Sequence, residues 1–422
     1  MCPFTLDYRP RVADRELASL LSAGGAVLVE GPRACGKTAT ARLAAKSEVN
    51  LETNVGARAA GILDPALLLD GERPRLIDEW QFVPDVWAQV RGAIDDSGGR
   101  PGSFILAGSA VPPDDARRHS GAGRILRLRM RPMSLAESGY SSGEVSLAGL
   151  FDGIPVRARE SMLSVREIAD LVSVGGWPGL QDRPVSDALA TLRGYLDDTA
   201  EIDLPRVDGV HRAPQRVKRV MQSLGRCTAT LTSARAIAAD VGGPSEPIKV
   251  HTVLDYLAAL ERVFILEDLA PWAPSLRSKS RLRDTAKRHF VDPSLAVAAL
   301  GTRPERLAYE VDTLGHLFES LVVRDLRIYA QAMDAAVFQY HDNTNLEVDA
   351  IVERRDGRWG AFEVKLGPAD VDAGARALLR LAERVDPGRH GPPAVLALVT
   401  GWGYGYRRPD GVSVIPIGAL AP

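Results

Sequence analysis

Ala26-Val-Leu-Val-Glu-Gly31-Pro-Arg-Ala-Cys-Gly36-Lys37-Thr38 is the stretch from which the first third of the chain can be read. Four apolar residues and a glutamate predict a buried strand, which runs into Gly-x-x-x-x-Gly-Lys-Thr and from there into a helix. The glycines let consecutive backbone N–H groups close around phosphate oxygens, and the helix N-terminus adds a favourable dipole. Lys37 is expected to reach the β- and γ-phosphates and the Thr38 hydroxyl to ligate Mg²⁺, with Gly31, Arg33 and Gly36 in the same loop. The pattern predicts ATP and Mg²⁺ as cofactors.

Working outward, Arg75–Asp78, Ser103–Ala107 and Ile125–Leu128 read as further buried strands. Between two of them, Pro84–Asp96 sets Val86, Trp87, Val90 and Ile94 on one helical face after a proline suited to a first turn. Strands alternating with helices predict an α/β domain with a parallel sheet. Asp78 is expected to hold Mg²⁺ through water and the adjacent Glu79 to polarise the attacking water. Ser109, after the next strand, would sit beside the γ-phosphate as a sensor; a strand-end serine is otherwise a turn or cap. Arg124 reads as an arginine finger from a neighbouring subunit of a homo-oligomer, or as a surface or nucleic-acid contact.

The bulk of the chain sets the frame. At 422 residues, two or three domains are expected. A hydrophobic share of 45% and a charged share of 25% are those of a globular protein, and a net charge of -2 excludes a globally basic nucleic-acid coat. Cys2, Cys35 and Cys227 form neither a disulfide framework nor a zinc spacing. The N-terminus lacks the apolar core of a signal peptide, and no apolar run approaches the roughly 20 residues of a bilayer span. A cytoplasmic protein with no membrane partner is expected.

From about 160 to 205 the pattern is helical, broken by Gly175-Gly-Trp-Pro-Gly179. Residues 206–292 predict helices at Ser233–Val241 and Ile248–Leu260 and a strand at Val263–Leu266, the order of a winged helix-turn-helix; a plain helical bundle fits equally. This segment carries fifteen Lys/Arg against nine Asp/Glu, densest at Arg277-Ser-Lys279-Ser-Arg281-Leu-Arg283. That surplus points to phosphate contacts with DNA or RNA, against the alternative of a solvated basic loop. Beyond 293, a long amphipathic helix (Leu314, Leu317, Phe318, Leu321) precedes strands at Ala336–Tyr340, Leu346–Glu353 and Trp359–Leu366, a helix at Val371–Val385 and a strand at Ala394–Thr400.

GPRACGKT, IDEWQFVPDVW, LAGS and GRILRLRMRPMSLAE, with the later GGWP, YLDDTAEIDL and FVDPSLA, together resemble a prokaryotic family of AAA-type ATPases. Members of that family carry a C-terminal domain of unknown function with a restriction-endonuclease-like fold. The resemblance covers nearly the whole chain. It implies an AAA-type ATPase domain, here with a helical lid (1–205), and a PD-(D/E)xK nuclease-like domain (293–422), with the winged-helix-like module read from the element order between them (206–292).

The last of these has its own residues. Asp349 and the Glu363-Val364-Lys365 triplet form D-x(n)-E-x-K, with Glu363 and Lys365 on one face of a strand. Asp349 and Glu363 are expected to share one Mg²⁺ that activates water, Lys365 to add fixed positive charge, and Glu319 on the preceding helix to complete the set. The bland alternative is a surface ion pair on an edge strand. The expected function is an ATPase coupled to a Mg²⁺-dependent nuclease-like domain acting on DNA or RNA. The alternative is an ATP-switched nucleic-acid- or partner-binding protein with an inert nuclease fold.

Overall fold

The computed structural model describes residues 8–108, 123–205, 209–210, 212–242, 248–273 and 285–422. The chain divides into two compact units. The first gathers Met1–Pro132, Glu201–His211 and Ala259–Phe264; the second gathers Met133–Ala200, Arg212–Ala258 and Ile265–Pro422.

In the first unit, β1 (Ala26–Glu30), β2 (Ser47–Asn50), β3 (Arg75–Asp78), β4 (Phe104–Gly108) and β5 (Ile125–Arg129) form one parallel sheet in the order β2-β3-β4-β1-β5. β1 lies between β4 and β5, with Val27 opposite Ile105 on one side and Leu126 on the other. All of β4 and all of β1 but Glu30 are buried, the signature of a parallel sheet covered on both faces. Helix α1 (Val12–Ala23) leads into β1, and α2 (Lys37–Ala44), α3 (Val55–Leu63) and α4 (Val86–Asp96) lie between successive strands from β1 to β4. The predicted apolar face of α4, Val86, Trp87, Val90 and Ile94, packs into the core beside Phe104 and Leu106. The four predicted strands fall within a residue of the observed ones. Sequence reading missed β2, because an edge strand of sequence SEVN buries only Val49.

In the second unit, a seven-stranded sheet runs in the order β7-β12-β13-β11-β10-β9-β8. Its strands are β7 (Ala158–Ser161), β8 (Ala335–His341), β9 (Glu347–Arg354), β10 (Trp359–Lys365), β11 (Val395–Thr400), β12 (Gly403–Arg407) and β13 (Ser413–Pro416). A small parallel pair, β6 (Val145–Ser146) and β14 (Leu420–Ala421), stands apart. β8, β9 and β10 are an antiparallel meander, and the Val371–Arg384 helix crosses over so that β11 pairs parallel with β10. The Val311–Gln331 helix precedes them; it is buried all round from Leu317 to Ala330, where an amphipathic helix was expected. The expected strand at Val263–Leu266 does not form. Phe264 adopts φ 60°, which breaks the extended run, and only single bridges Leu266–Phe290 and Leu269–Lys287 follow. The expected helices at Ser233–Val241 and Ile248–Leu260 appear as Ala234–Gly242 and Val250–Arg262. The basic run Arg277–Arg283 lies outside the described residues.

Two of the segments that carried the family resemblance meet in this unit. Asp292 caps the Pro293–Leu300 helix by accepting from Ser294 N–H (3.0 Å), and it also accepts from Gly176 N–H (2.9 Å). Trp177 Nε1–H donates to Ser294 Oγ at 2.9 Å, and the buried Arg324 guanidinium donates to Asp292 (2.8 Å) and Asp325 (2.7 Å). Each buried charge therefore has a hydrogen-bonded partner, as burial demands. GGWP and FVDPSLA are parts of one packing joint.

Candidate functional site

The phosphate loop bridges the C-terminal end of β1 and the start of α2. Gly31 (φ 156°) and Gly36 (φ 108°) take left-handed conformations that side chains disfavour. A Cβ on Gly31 would also stand 2.2 Å from the Met130 carbonyl oxygen. Gly36 is the N-cap of α2, so the first N–H groups of that helix face the loop. Lys37 is buried and donates to the Pro32 carbonyl at 2.7 Å, so its ammonium is folded across the loop. Arg33 reaches away from the loop to Asp203, 2.9 Å off. Arg11 at the N-cap of α1 ties the loop down, donating to the carbonyls of Cys35 and Arg131 at 2.8 Å each.

Thr38 and Asp78 stand together. The hydroxyl is 3.1 Å from both Asp78 oxygens, and Asn50 Nδ2 donates to Asp78 Oδ2 at 2.8 Å. Burial raises the Asp78 carboxyl pKa, while the bonds from Thr38 and Asn50 oppose that rise. Glu79 follows in a left-handed turn (φ 53°), and Gln81 donates a short hydrogen bond to its carboxylate. Burial raises the Glu79 pKa too, against the attraction of Lys37. A hydroxyl and a carboxylate side by side at the mouth of a phosphate loop suit Mg²⁺. Asn50 and Gln81 escaped the sequence reading; Asn50 closes the edge strand that was itself missed.

Ser109 lies outside the described residues. Arg124 sits at the opposite edge of the sheet: its carbonyl accepts from Ala26 N–H at the start of β1, whereas the phosphate loop follows the end of that strand. Five residues of strand separate the two edges by roughly 15 Å. Its side chain pairs on the surface with Asp95 (2.6 Å). Arg124 thus has no part in the phosphate site of its own chain.

The second cluster assembles in the C-terminal sheet. Asp349 on β9 and Glu319 on the Val311–Gln331 helix meet across Lys287, and Asp349 also reaches β10, which carries Glu363 and Lys365. Asp349 Oδ2 accepts from Val364 N–H at 2.9 Å, and Lys365 donates to Glu363 Oε1 at 2.8 Å. The centre of the cluster holds a residue the sequence reading did not select. Lys287 Nζ lies 2.7 Å from Glu319 Oε1, 2.6 Å from Glu347 Oε1 and 3.1 Å from Asp349 Oδ1, and Lys287 is 1% exposed. Burial works against its charge, but Asp349, Glu319 and Glu347 outweigh it and hold the ammonium well above the usual lysine range. Burial, reinforced by Asp349, pushes the Glu363 carboxyl up to about 8, and Glu319 is raised well above its ordinary value for the same reasons.

A Mg²⁺ shared by Asp349 and Glu363 does not fit these residues as they stand. Both carboxylates are engaged by ammonium groups. Unit positive charges about 5 Å apart repel by roughly 3 kcal/mol at an effective dielectric of about 20, and a dication doubles that. Among the described residues, no group of three or more His, Cys, Asp or Glu is arranged to hold a metal ion. No helix there is long and apolar enough to cross a membrane.

Residues 23–139 match the profile of an AAA domain, and they contain the phosphate loop, Asp78 and Glu79. This part of the chain is a P-loop ATPase domain of the AAA type. Residues 165–306 and 314–420 match two domains of unknown function, DUF8612 and DUF4143. Similar proteins include the uncharacterized proteins Mb2031c of Mycobacterium bovis and Rv2008c of Mycobacterium tuberculosis. Each is 27% identical over 360 residues, 84% of this chain and 73% of the relative. Among solved structures, the Walker-type ATPase PABY2304 of Pyrococcus abyssi aligns with TM-score 0.44 and 14% identity, over 69% of this chain and 99% of its own. A point variant of RuvB of Thermotoga maritima aligns with TM-score 0.26 and 18% identity, over 61% of this chain and 88% of its own.

Proposed function

We propose that this chain is an ATP-hydrolysing switch that binds nucleic acid and carries a nuclease-like domain that does not cut it. The observation that carries the reading is a contrast between the two clusters. Thr38 and Asp78 leave a carboxylate and a hydroxyl at the mouth of a phosphate loop, whereas the carboxylates of the nuclease-like cluster enclose Lys287.

At the ATPase site, Lys37 exchanges the Pro32 carbonyl for the β- and γ-phosphates of ATP, and the α2 N-terminal amides and Gly36 cradle the chain of phosphates. Thr38 and Asp78 would hold Mg²⁺, which when bound offsets charge on the β- and γ-oxygens. Glu79 orients the attacking water and accepts its proton; its raised pKa suits that role better than an ordinary carboxylate would. The nucleic-acid partner is proposed on the surplus of six positive charges in residues 206–292. The helix–meander–helix–strand order of the C-terminal sheet supports a restriction-endonuclease-like framework.

A second reading, Mg²⁺-dependent cleavage at Asp349 and Glu363, has one observation in its favour. Glu363 Oε2 is buried and has no hydrogen-bond partner among the described residues. That reading requires Lys287 to leave the cluster. The test is to assay purified full-length protein for ATP hydrolysis and for binding and cleavage of labelled DNA and RNA, single- and double-stranded, with Mg²⁺ or Mn²⁺. ATP hydrolysis lost in Lys37→Ala, together with nucleic-acid binding and no cleavage, supports the proposal. Cleavage that Asp349→Ala abolishes would replace it with the second reading.

A further inference from the structure

We propose that Lys287 is a built-in cation standing in place of a metal ion, so that this centre binds no divalent ion until the ammonium is removed. The inference rests on the non-cleaving reading above and deepens it by naming the residue that makes the centre inert.

Three features argue for it. Lys287 reaches three carboxylates from two separate elements: Glu319 on the Val311–Gln331 helix, and Glu347 and Asp349, two apart and therefore on one face of β9. A single positive centre within 2.6–3.1 Å of three carboxylate oxygens is the arrangement a small cation would adopt, made here with N–H donors. The position is also fixed by the backbone. Lys287 N–H donates to the Leu269 carbonyl (3.0 Å) and Leu269 N–H donates back (2.8 Å), so the side chain enters from a paired segment. That segment precedes residue 293, so the ammonium comes from outside the sequence stretch that supplies the carboxylates.

Third, the remaining ligand is taken in the same way. Lys365 holds Glu363 Oε1 at 2.8 Å, leaving two ammonium groups among four carboxylates. Removing Lys287 takes one positive charge out of a largely buried group of four carboxyls, which strengthens the pull of their oxygens on a hard dication.

The experiment is Mn²⁺ binding to full-length, nucleotide-free protein, followed by electron paramagnetic resonance and by thermal unfolding with and without Mn²⁺. Wild type and Asp349→Asn are expected to bind the same amount of Mn²⁺, because the centre contributes no site. Lys287→Met is expected to bind one Mn²⁺ more per chain than wild type and to be stabilised by it, and Lys287→Met/Asp349→Asn to lose that gain. Lys287→Arg keeps the charge and should resemble wild type. A wild-type Mn²⁺ site that disappears in Asp349→Asn would overturn the proposal, as would a folded Lys287→Met with no added Mn²⁺. If Lys287→Met does not fold, the wild-type and Asp349→Asn comparison decides alone. The readout is metal bound, not strand cleavage. A centre that binds Mn²⁺ yet cuts nothing would sink this inference and leave the non-cleaving reading standing; cleavage without Mn²⁺ at the centre would do the reverse.

Discussion

The Thr38 hydroxyl lies 3.1 Å from each carboxylate oxygen of Asp78, and Asn50 Nδ2 donates to Asp78 Oδ2 at 2.8 Å. Asp78→Asn replaces the charge while keeping the shape. It is expected to reduce ATP turnover by roughly a hundredfold or more, as loss of a preorganised charge at a phosphoryl-transfer site does. Asn50→Ala should cost less, roughly tenfold, because it removes one hydrogen bond to a charged group. Steady-state ATPase assays check both; an Asp78→Asn enzyme with wild-type turnover would remove Asp78 from the site.

Gln81 clamps Glu79, the half-buried carboxylate next to Asp78. If that clamp holds the base away from water, Gln81→Ala should raise basal turnover by roughly three- to tenfold, the worth of about 1 kcal/mol at the barrier. Glu79→Gln should abolish turnover while ATP binding persists. Nucleotide affinity and turnover measured on the same samples separate the two effects.

Arg11 is buried and spans the carbonyls of Cys35 and Arg131, fixing the loop from outside it. Arg11→Ala is expected to weaken ATP binding by about tenfold through a loosened loop, on the scale of a lost pair of charge-assisted hydrogen bonds. Nucleotide titration reads it, with circular dichroism to show that the fold persists.

Lys287→Ala leaves Glu319 and Asp349 buried without their counter-charge. Breaking a buried pair in this way typically costs about 3–5 kcal/mol. The expected result is a lowered melting temperature at neutral pH. Adding Glu319→Gln in the same chain should recover part of it, and denaturant unfolding of the single and double variants tests this.

Glu363 gives a pH signature. Burial and Asp349 push its carboxyl from an ordinary 4.5 to about 8 in the folded chain. Across that window the folded chain keeps a proton that the unfolded chain releases. The stability this contributes is therefore full below pH 4.5 and is lost as pH rises through about 8. Glu363→Gln cannot ionise. Its melting temperature should rise relative to wild type as pH goes from about 5 to about 9, and a constant difference would contradict the shift.

The phosphate loop was legible in the sequence because its chemistry is local. Gly31, Gly36, Lys37 and Thr38 act on one ligand through a few consecutive residues, and strand and helix periods set where each points. The same holds for Glu363 and Lys365, two apart on β10 and therefore on one face. Asp349 and Glu319 could be added from the order of the elements. Contacts made through space were beyond such reading. That Arg124, expected as a finger for a neighbouring subunit, stands at the opposite end of the strands from its own chain's phosphate loop follows only from the parallel register. Asn50 came into view only with β2, whose single buried side chain gave no periodic signal. Lys287 is 32 residues from Glu319 and 62 from Asp349, in a segment with no motif of its own. Sequence by itself determined which side chains can do chemistry; the tertiary structure decided which charge stands among them, because an ammonium and three carboxylates are brought together only by the packing of distant elements.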